Sequence, residues 1–267
     1  FICCGIESMT KVPINGLNFS PHPNLIISNP NVYLSMGDTA ENVAKKYNIS
    51  REEQQDFAIN SHKKASFAES NDYFLKEITK LNINKKIVNK DGAIRPNTSQ
   101  EILNGLKLAF NEKGTVTAGT SSPLIDGAAA VLVCSEEYAK ENQLDILAKI
   151  ISTAVQGCPP ELMGLGPISA SKKALKRANL LIEDIDIIEL NEAFASQSIA
   201  CIKDLNIDPA KVNLDGGAIA LGHPLGATGA RIIGKAAQLL KREKKEYALV
   251  TQCIGLGQGI ATILQSV

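Results

Sequence analysis

The stretch IDIIELNEAFASQSIACIKD, residues 185–204, decides the fold class of this 267-residue chain. Residues 185–190 are mostly isoleucine and leucine, a short apolar run that predicts a buried β-strand. Residues 192–204 follow without a break and predict an α-helix. Polar Asn191 and Glu192 stand where the strand ends, which is where α/β folds tend to build their sites. The stretch therefore indicates a strand-helix unit of an α/β protein.

Further strands and helices alternate on both sides of this unit. The elements predicted after Gly114 are an alanine-rich helix buried between layers at 126–134, a strand at 147–156, a helix at 167–178, a short strand at 212–214, a helix at 226–241, and strands at 247–253 and 260–264. This order predicts an α/β fold, with one mixed sheet that carries helices on both faces.

Residues 10–115 have a different sequence pattern. Four prolines between residues 10 and 34 predict an extended loop without regular helix. Helices are predicted at 38–47 and 51–70, the second opened by a capping box between Ser50 and Glu53. Residues 71–115 show only a short alternating stretch at 77–81 and an apolar face over 102–110. We interpret this region as a mostly helical insertion in a larger α/β body.

Composition narrows the function classes. Lys plus Arg and Asp plus Glu number 28 each, so no long-range field attracts nucleic acid. No apolar run reaches the roughly 18 residues of a membrane helix. The six cysteines follow neither a CxxC spacing nor a disulfide framework, which predicts a reducing compartment and mostly buried thiols. The opening FICCG lacks an initiator Met and resembles the end of a strand, so we expect the sequence to be a fragment.

Three segments contain candidate site residues. Asn191 and Glu192 are costly to bury unless hydrogen-bonded, although an ordinary N-cap pair is an equal alternative. The glycine-rich segment 216–229 can hold His223 at a helix start, and its alternative is a structural turn. Cys253 lies beside a glycine turn whose amides can stabilise a thiolate or an oxyanion, against the alternative of a small core residue. One His and one Cys are too few ligands for zinc.

These motifs together resemble a known family. NEAFA at 191–195, GGAIALGHPLGATGAR at 216–231 and CIGLGQG at 253–259 are similar, in this order, to the three C-terminal signature blocks of the thiolases. Further similarities are GIESM at 5–9, MGDTAENVA at 36–44, TVTAGTSS with DGAAAVLV between 115 and 133, and MGLGP at 163–167. The TAGTSS and CIGLGQGIAT variants resemble the 3-ketoacyl-CoA thiolases of bacterial fatty-acid β-oxidation.

The resemblance implies a role for each matching residue. His223 matches the histidine that activates the nucleophile and polarises the thioester oxygen, and Asn191 matches the residue that holds an oxyanion-hole water. Cys253 matches the acid/base cysteine, and the Gly255 amide matches the second oxyanion hole. The remaining matches are Ser122 at the pantetheine arm of coenzyme A, and Met36, Phe110, Met163 and Phe194 along the acyl pocket.

The resemblance also implies a domain plan and an activity. Residues 1–9 and 116–145 match parts of the N-terminal thiolase domain, 10–115 the loop domain, and 146–267 the C-terminal domain. The implied reaction is cleavage of 3-ketoacyl-CoA by CoA to acetyl-CoA and a shortened acyl-CoA, with CoA as a substrate and no tightly bound cofactor or metal. The nucleophilic cysteine of the family is expected upstream of residue 1, since Cys3 and Cys4 lie within a strand and are expected to be core residues.

The alternative interpretation is that the chain is a truncated, catalytically dead thiolase remnant that only binds CoA or a partner subunit. By resemblance, we expect a homodimer or tetramer, with a hydratase/dehydrogenase subunit as a further partner. The reduced cysteines favour a cytoplasmic enzyme, or a mitochondrial or peroxisomal one in a eukaryote. A chain that lacks the rest of its N-terminal sheet is expected to expose an apolar face and to self-associate.

Overall fold

The structure is a computed structural model and describes residues 1–14 and 16–267. Its strands are β1 (Ile2–Ser8), β2 (Leu81–Ile83), β3 (Lys86–Val88), β4 (Asp126–Leu132), β5 (Lys149–Gly157), β6 (Ile187–Leu190), β7 (Tyr247–Ile254) and β8 (Gln258–Gln265). Its α-helices are α1 (Pro23–Ser28), α2 (Met36–Lys46), α3 (Arg51–Ser70), α4 (Gln100–Asn104), α5 (Glu136–Glu141), α6 (Gly166–Ala178), α7 (Ala195–Asp204), α8 (Ala218–Leu221) and α9 (Thr228–Glu243).

A four-stranded mixed sheet forms the centre of the C-terminal part, in the order β5-β8-β7-β6. Strands β6 and β7 run parallel, whereas β8 is antiparallel to both β7 and β5. In the parallel pair, Leu190 stands opposite Thr251, so the residues after Leu190 emerge beside the end of β7. This register brings the 191–195 segment next to the CIGLGQG segment.

Helices cover both faces of this sheet, as the sequence predicts. On one face Ala170 and Ala174 of α6 pack with Ile188 and Leu249 in an apolar cluster. On the other face, Ile232, Ala236 and Leu240 of α9 pack with Ile187, Val250 and Leu264. All of these side chains are buried, so the two clusters supply most of the hydrophobic stabilisation of the sheet. The α/β class with a two-sided mixed sheet is confirmed.

Strands β1 and β4 form a separate antiparallel pair, with Ile2 opposite Leu132 and Ser8 opposite Asp126. The pair packs on α9 and on the segment after His223. The closest approach is between Gly5 and Gly226, where a Cβ at residue 5 would overlap the Gly226 carbonyl. The other face is open, because Ile2 and Ile6 are 75% and 80% exposed.

Residues 10–115 form a mostly helical layer in which α3 is the longest element. Helix α3 begins at the predicted residue, because the Ser50 hydroxyl accepts from the Glu53 amide while the Glu53 carboxylate accepts from the Ser50 amide. Helix α2 spans Met36–Lys46, so it begins two residues earlier and ends one residue earlier than the predicted range 38–47. The region 102–110 is only partly helical, because α4 ends at Asn104.

The clearest difference from the sequence analysis is residues 126–134, which we predicted as a helix. Residues 126–132 are strand β4, with alternating exposed and half-buried side chains. Alanine favours helices, but this preference is worth only tenths of a kcal/mol per residue and yields to seven paired residues in a ladder. Tertiary pairing with β1 therefore overrides local propensity.

Three smaller predictions also fail. The proline-rich segment contains α1 and a 3-10 turn at Pro30–Tyr33, because a proline at the first turn of each helix requires no amide donor. The predicted strand 212–214 is a single bridge from Val212 to Ile188. Cys3 and Cys4 are exposed rather than buried, and Cys134 is exposed as well.

Candidate active site

His223 lies in the connection between α8 and α9, directly after Gly222, whose φ of +97° turns the chain at the end of α8. The imidazole is partly buried and has one polar contact on each side of the ring. Its Nδ1 lies 2.7 Å from the Thr228 hydroxyl, and its Nε2 lies 3.3 Å from the Asn191 side-chain amide nitrogen. The first turn of α9 and the end of β6 therefore hold the ring from opposite sides.

These contacts fix the tautomer of His223. The Thr228 hydroxyl donates to the Pro224 carbonyl oxygen at 3.0 Å, so its lone pairs face the ring. Nδ1 must then carry the hydrogen and donate to Thr228, which leaves Nε2 as an acceptor toward Asn191. A neutral imidazole whose Nε2 carries the lone pair can accept a proton at that atom.

The electrostatic surroundings keep His223 neutral. Burial, with a smaller contribution from the positive charge of Arg231, lowers the His223 pKa to about 4. Both effects disfavour the imidazolium form. At neutral pH the ring is therefore present almost entirely as a base.

Asn191 follows β6 and is 1% exposed. Its backbone amide donates to the Thr251 carbonyl oxygen at 3.0 Å, which continues the parallel ladder by one residue. Its side-chain nitrogen meets His223, while its Oδ1 is buried without a hydrogen-bond partner in the described part of the chain. A buried acceptor left unpaired is costly, and such atoms cluster at functional sites.

Cys253 lies near the end of β7, opposite Gly259 of β8. The thiol is buried, and burial raises its pKa to about 12. The side chain is therefore a protonated thiol at neutral pH and can serve first as a proton donor. Gly255 follows two residues later in the exposed turn to β8, and a Cβ there would lie 4.0 Å from the Met36 sulfur.

One apolar cluster gathers Cys253 with most of the predicted pocket residues. Phe194 and Met163 are buried in this cluster, and Met36 packs against it. The Phe110 ring meets the Phe194 ring edge to face, with centroids 5.9 Å apart. Residues from α2, from the loop before β4 and from the carboxyl ends of β5 and β6 thus gather around the Cys253 thiol at one end of the C-terminal sheet.

Ser122 joins the same region through its backbone. Its amide donates to the Ala193 carbonyl oxygen at 3.0 Å, and Ser121 forms an isolated bridge with Phe194. The segment 121–122 therefore runs along the 191–195 segment like a short edge strand. All nine sequence-predicted site residues lie around the carboxyl ends of β6 and β7, in two groups that centre on His223 and on Cys253.

Glu192 has no partner that the sequence identifies, yet its carboxylate accepts three hydrogen bonds near the site. It is 2% exposed and accepts from the Ser61 hydroxyl at 2.7 Å, the Asn213 amide nitrogen at 2.8 Å and the Ile219 amide at 3.1 Å. Ser61 and Asn213 are far apart in sequence, and no local pattern identifies them as its partners. The only signal was the acidic residue itself, placed at the end of a buried strand.

A cavity of about 230 Å³ lies on the other side of Glu192, between α3 and α7. Lys64 and Phe57 contribute to its wall, whereas His223 and Cys253 do not. Among the described residues, no group of three or more His, Cys, Asp or Glu side chains is arranged to hold a metal ion. No helix in the same part of the chain has the length and apolar character needed to cross a membrane.

Comparison with known proteins places this site in a family. The chain matches the thiolase N-terminal domain over residues 1–137 and the thiolase C-terminal domain over residues 144–266. It is 50% identical to a 3-ketoacyl-CoA thiolase of Yersinia enterocolitica over 273 residues, covering 98% of this chain and 70% of that relative. A 3-ketoacyl-CoA thiolase of Bacillus subtilis is 44% identical over 277 residues, covering 99% of this chain and 71% of the relative.

Solved structures agree with these relatives. The human mitochondrial 3-ketoacyl-CoA thiolase in complex with CoA superposes with a TM-score of 0.91 at 41% identity, over 100% of this chain and 70% of that chain. The dimeric peroxisomal thiolase of Saccharomyces cerevisiae gives a TM-score of 0.92 at 40% identity, over 100% and 69% of the two chains. With both domain matches and this degree of identity, the chain belongs to the thiolase family and is of the 3-ketoacyl-CoA thiolase type, an acetyl-CoA C-acyltransferase.

Proposed function

We propose that these residues supply the acid/base and oxyanion half of a site that cleaves 3-ketoacyl-CoA with CoA in fatty-acid β-oxidation. The observation that carries the proposal is the pair of His223 and Asn191, whose Nε2 and Nδ2 atoms lie 3.3 Å apart. A substrate thioester oxygen beside this pair meets an amide donor and an imidazole in one place. The Asn191 amide donates to the negative charge that develops on the thioester oxygen, and the imidazole donates to it once Nε2 has taken a proton.

Cys253 acts as the proton-transfer group in this proposal. Cleavage of a 3-ketoacyl thioester between its α and β carbons leaves an enolate of acetyl-CoA, which must gain a proton at the α-carbon. A buried thiol with a pKa of about 12 holds that proton until a strong base such as an enolate is present. The resulting thiolate then takes a proton from the incoming CoA thiol, and the Gly255 amide faces the second oxyanion.

The acyl group requires a separate nucleophilic cysteine, and we propose that it comes from outside these 267 residues. A reactive thiolate is favoured at a helix N-terminus or beside a positive charge. Cys3 and Cys4 lie in β1, and the pKa values of Cys158, Cys201 and Cys253 are all raised by burial. The chain alone is therefore expected not to form an acyl-enzyme.

The remaining predicted residues bind the substrate in this proposal. Met36, Phe110, Met163 and Phe194 line the acyl pocket, and Ser122 contacts the pantetheine arm. Support comes from their common cluster around Cys253 and from the CoA complex of the human mitochondrial relative. CoA is a substrate here, and the proposal includes no metal or tightly bound cofactor.

The domain division, partners and compartment are part of the same proposal. Residues 1–9 and 116–145 belong to the N-terminal domain, 10–115 to the loop domain and 146–267 to the C-terminal domain, which is supported by the pairing of β1 with β4 across the 10–115 segment. A homodimer or tetramer is supported by the dimeric yeast relative. A hydratase/dehydrogenase subunit is a further partner, and the cytoplasm is the proposed compartment in a bacterium.

Proton exchange into acetyl-CoA tests the acid/base half without needing acyl transfer. The chain is incubated with acetyl-CoA in D2O, and deuterium at the α-carbon is followed by mass spectrometry. We expect exchange that Cys253→Ala abolishes and that Leu225→Ala, an exposed position near the histidine, leaves unchanged. CoA binding by calorimetry without any exchange would favour the alternative of a catalytically dead remnant.

Intact mass after incubation with 3-ketoacyl-CoA tests the source of the nucleophile. We expect no acyl adduct on the chain. A stable adduct, mapped to any of its six cysteines by peptide analysis, would contradict the proposal that the acyl acceptor lies outside these residues.

A further inference from the structure

The dipeptide Asn191–Glu192 holds both ends of the segment that carries His223. At the far end, the Asn191 side chain meets His223 Nε2 at 3.3 Å. At the near end, Glu192 Oε2 accepts from the Ile219 amide at 3.1 Å, four residues before the histidine. Two adjacent residues at the end of one rigid strand thus define where the intervening turn lies.

Helix α3 is the third member of this arrangement. The Ser61 hydroxyl donates to Glu192 at 2.7 Å and at the same time accepts from the Gly217 amide at 3.0 Å. A Cβ on Gly217 would overlap the Glu192 carboxylate, and a Cβ on Gly216 would overlap the Ser61 carbonyl oxygen and Ala65. The backbone at 216–217 therefore passes directly between a buried carboxylate and a helix of the loop layer.

Asn213 completes the surroundings of the carboxylate. Its Nδ2 donates both to Glu192 Oε1 and to the Leu190 carbonyl oxygen, and its Oδ1 accepts from the Leu190 amide. Glu192 consequently meets three donors, from Ser61, Asn213 and Ile219. This donor set suits an ionised carboxylate, which only accepts hydrogen bonds.

From this geometry, we propose that Glu192 is a positioning residue that, through Ser61, Asn213 and the Ile219 amide, fixes the 217–223 segment and thereby the alignment of His223 with Asn191. The consequence for catalysis rests on the role proposed above for His223. The placement of the His223 ring does not depend on that role, and it can be measured without turnover. Because Ser61 belongs to α3, the helical layer of residues 10–115 contributes directly to the position of the His223 ring.

Carbethoxylation of the three histidines by diethyl pyrocarbonate, followed by peptide mass spectrometry on the full chain, measures this placement. The reagent attacks neutral imidazole nitrogens that it can reach. Exposed His22 serves as an internal reference, and His62, 4% exposed on α3 beside Ser61, reports on that helix. Glu192→Gln replaces one carboxylate oxygen by an NH2 group, which cannot accept from the donors that surround it. We therefore expect the rate of His223 modification, relative to that of His22, to rise about tenfold, which is the scale of one lost charged hydrogen bond.

Controls separate positioning from general loss of stability. Glu189→Gln is the matched variant, since Glu189 is about equally buried on β6, the strand that Glu192 follows, and its Oε1 has no partner among the described residues. We expect it to leave the His223 rate unchanged. Ser61→Ala keeps the carboxylate and should raise the rate by a smaller factor, which provides a second test if Glu192→Gln fails to fold.

Two results would overturn the proposal. One is an unchanged His223 rate in folded Glu192→Gln and in Ser61→Ala. The other is a parallel rise at His62 and His223 in both variants, because that pattern reports opening of the whole α3 layer rather than of the 217–223 segment. The nitrogen chemical shifts of His223 give an independent readout, since loss of alignment should mix the two neutral tautomers.

Discussion

The four-stranded sheet and the β1/β4 pair are both built from apolar strands, but they differ in what covers them. All four residues of β6 are buried between α6 and α9. In β1 the first three residues are exposed, and Ile6 remains 80% exposed although α9 lies behind the pair. Strand composition alone therefore says little about stability, which depends on whether each face has a covering layer.

The largest expected effect in this comparison is a core deletion in the covered sheet. Leu249 in β7 is 0% exposed and packs under α6, so Leu249→Ala should lower the free energy of unfolding by about 3 kcal/mol. Ile6→Ala, an equal truncation in β1, should cost less than about 0.5 kcal/mol. Urea unfolding of both variants measures this, and similar costs would show that β1 is covered in solution.

A second effect is the pH dependence supplied by two histidines. Burial lowers the pKa of His62 and of His223 to about 4, below the ordinary 6.5. Above pH 6.5 neither the folded nor the unfolded state is protonated at these sites. As pH falls from 6.5 to 4 the unfolded state gains protons first, so stability should fall by about 2 kcal/mol per histidine between pH 7 and pH 5.

Asparagine variants show which of the two histidines causes the loss of stability between pH 7 and pH 5. His62→Asn removes the titration in the loop layer, and His223→Asn removes it beside the covered sheet. Each should flatten the loss between pH 7 and pH 5 relative to the parent chain in urea unfolding. A slope that neither variant changes would mean that both rings are accessible to water and titrate as in the unfolded chain.

Helix capping gives a smaller effect. Ser50→Ala removes the capping box of the 20-residue helix α3 and should cost about 1 kcal/mol. Ser135→Ala removes the serine N-cap of α5, which has six residues and buries only Ala139. That helix can fray without unfolding the rest, so thermal unfolding should register a much smaller change for Ser135→Ala. Equal changes would indicate that α5 is part of the cooperative unit.

The smallest expected effect on stability is a charge on the open face of β1. Ile6→Lys should leave the free energy of unfolding within about 0.5 kcal/mol, because the side chain is solvated. It should, however, reduce self-association in light scattering, since the open apolar face is interrupted. Unchanged self-association would place the contact elsewhere, and Leu181→Lys, on an exposed turn, is the matched control.

Prediction from sequence succeeded where a signal is local. The capping box at Ser50 located the start of α3 to the residue, and the glycine turn at 255–259 located the connection between β7 and β8. It failed where the partner is distant. Residues 126–132 are a strand only because β1 lies 118 or more residues earlier, as the pairing of Ser8 with Asp126 shows.

For the site residues, too, local signals were readable from the sequence and distant partners were not. His223, Asn191 and Cys253 were identifiable because each stands in a short motif, and the structure places them around the carboxyl ends of β6 and β7. The contacts of Glu192 were not identifiable, because Ser61 and Asn213 lie 131 and 21 residues away from it. Local motifs thus locate the proposed reactive groups, whereas the groups that hold them depend on the finished fold.

The backbone contact of Gly5 with Gly226 has a consequence for how this chain tolerates variation. In a saturation library, most positions of exposed β1 should accept many residues, but position 5 should accept glycine alone, because any side chain would displace the turn that follows His223. Such an isolated intolerant position would look like a binding residue in a survey of variants. The cause is the close approach of two main-chain segments of the same molecule, which leaves no room for a side chain.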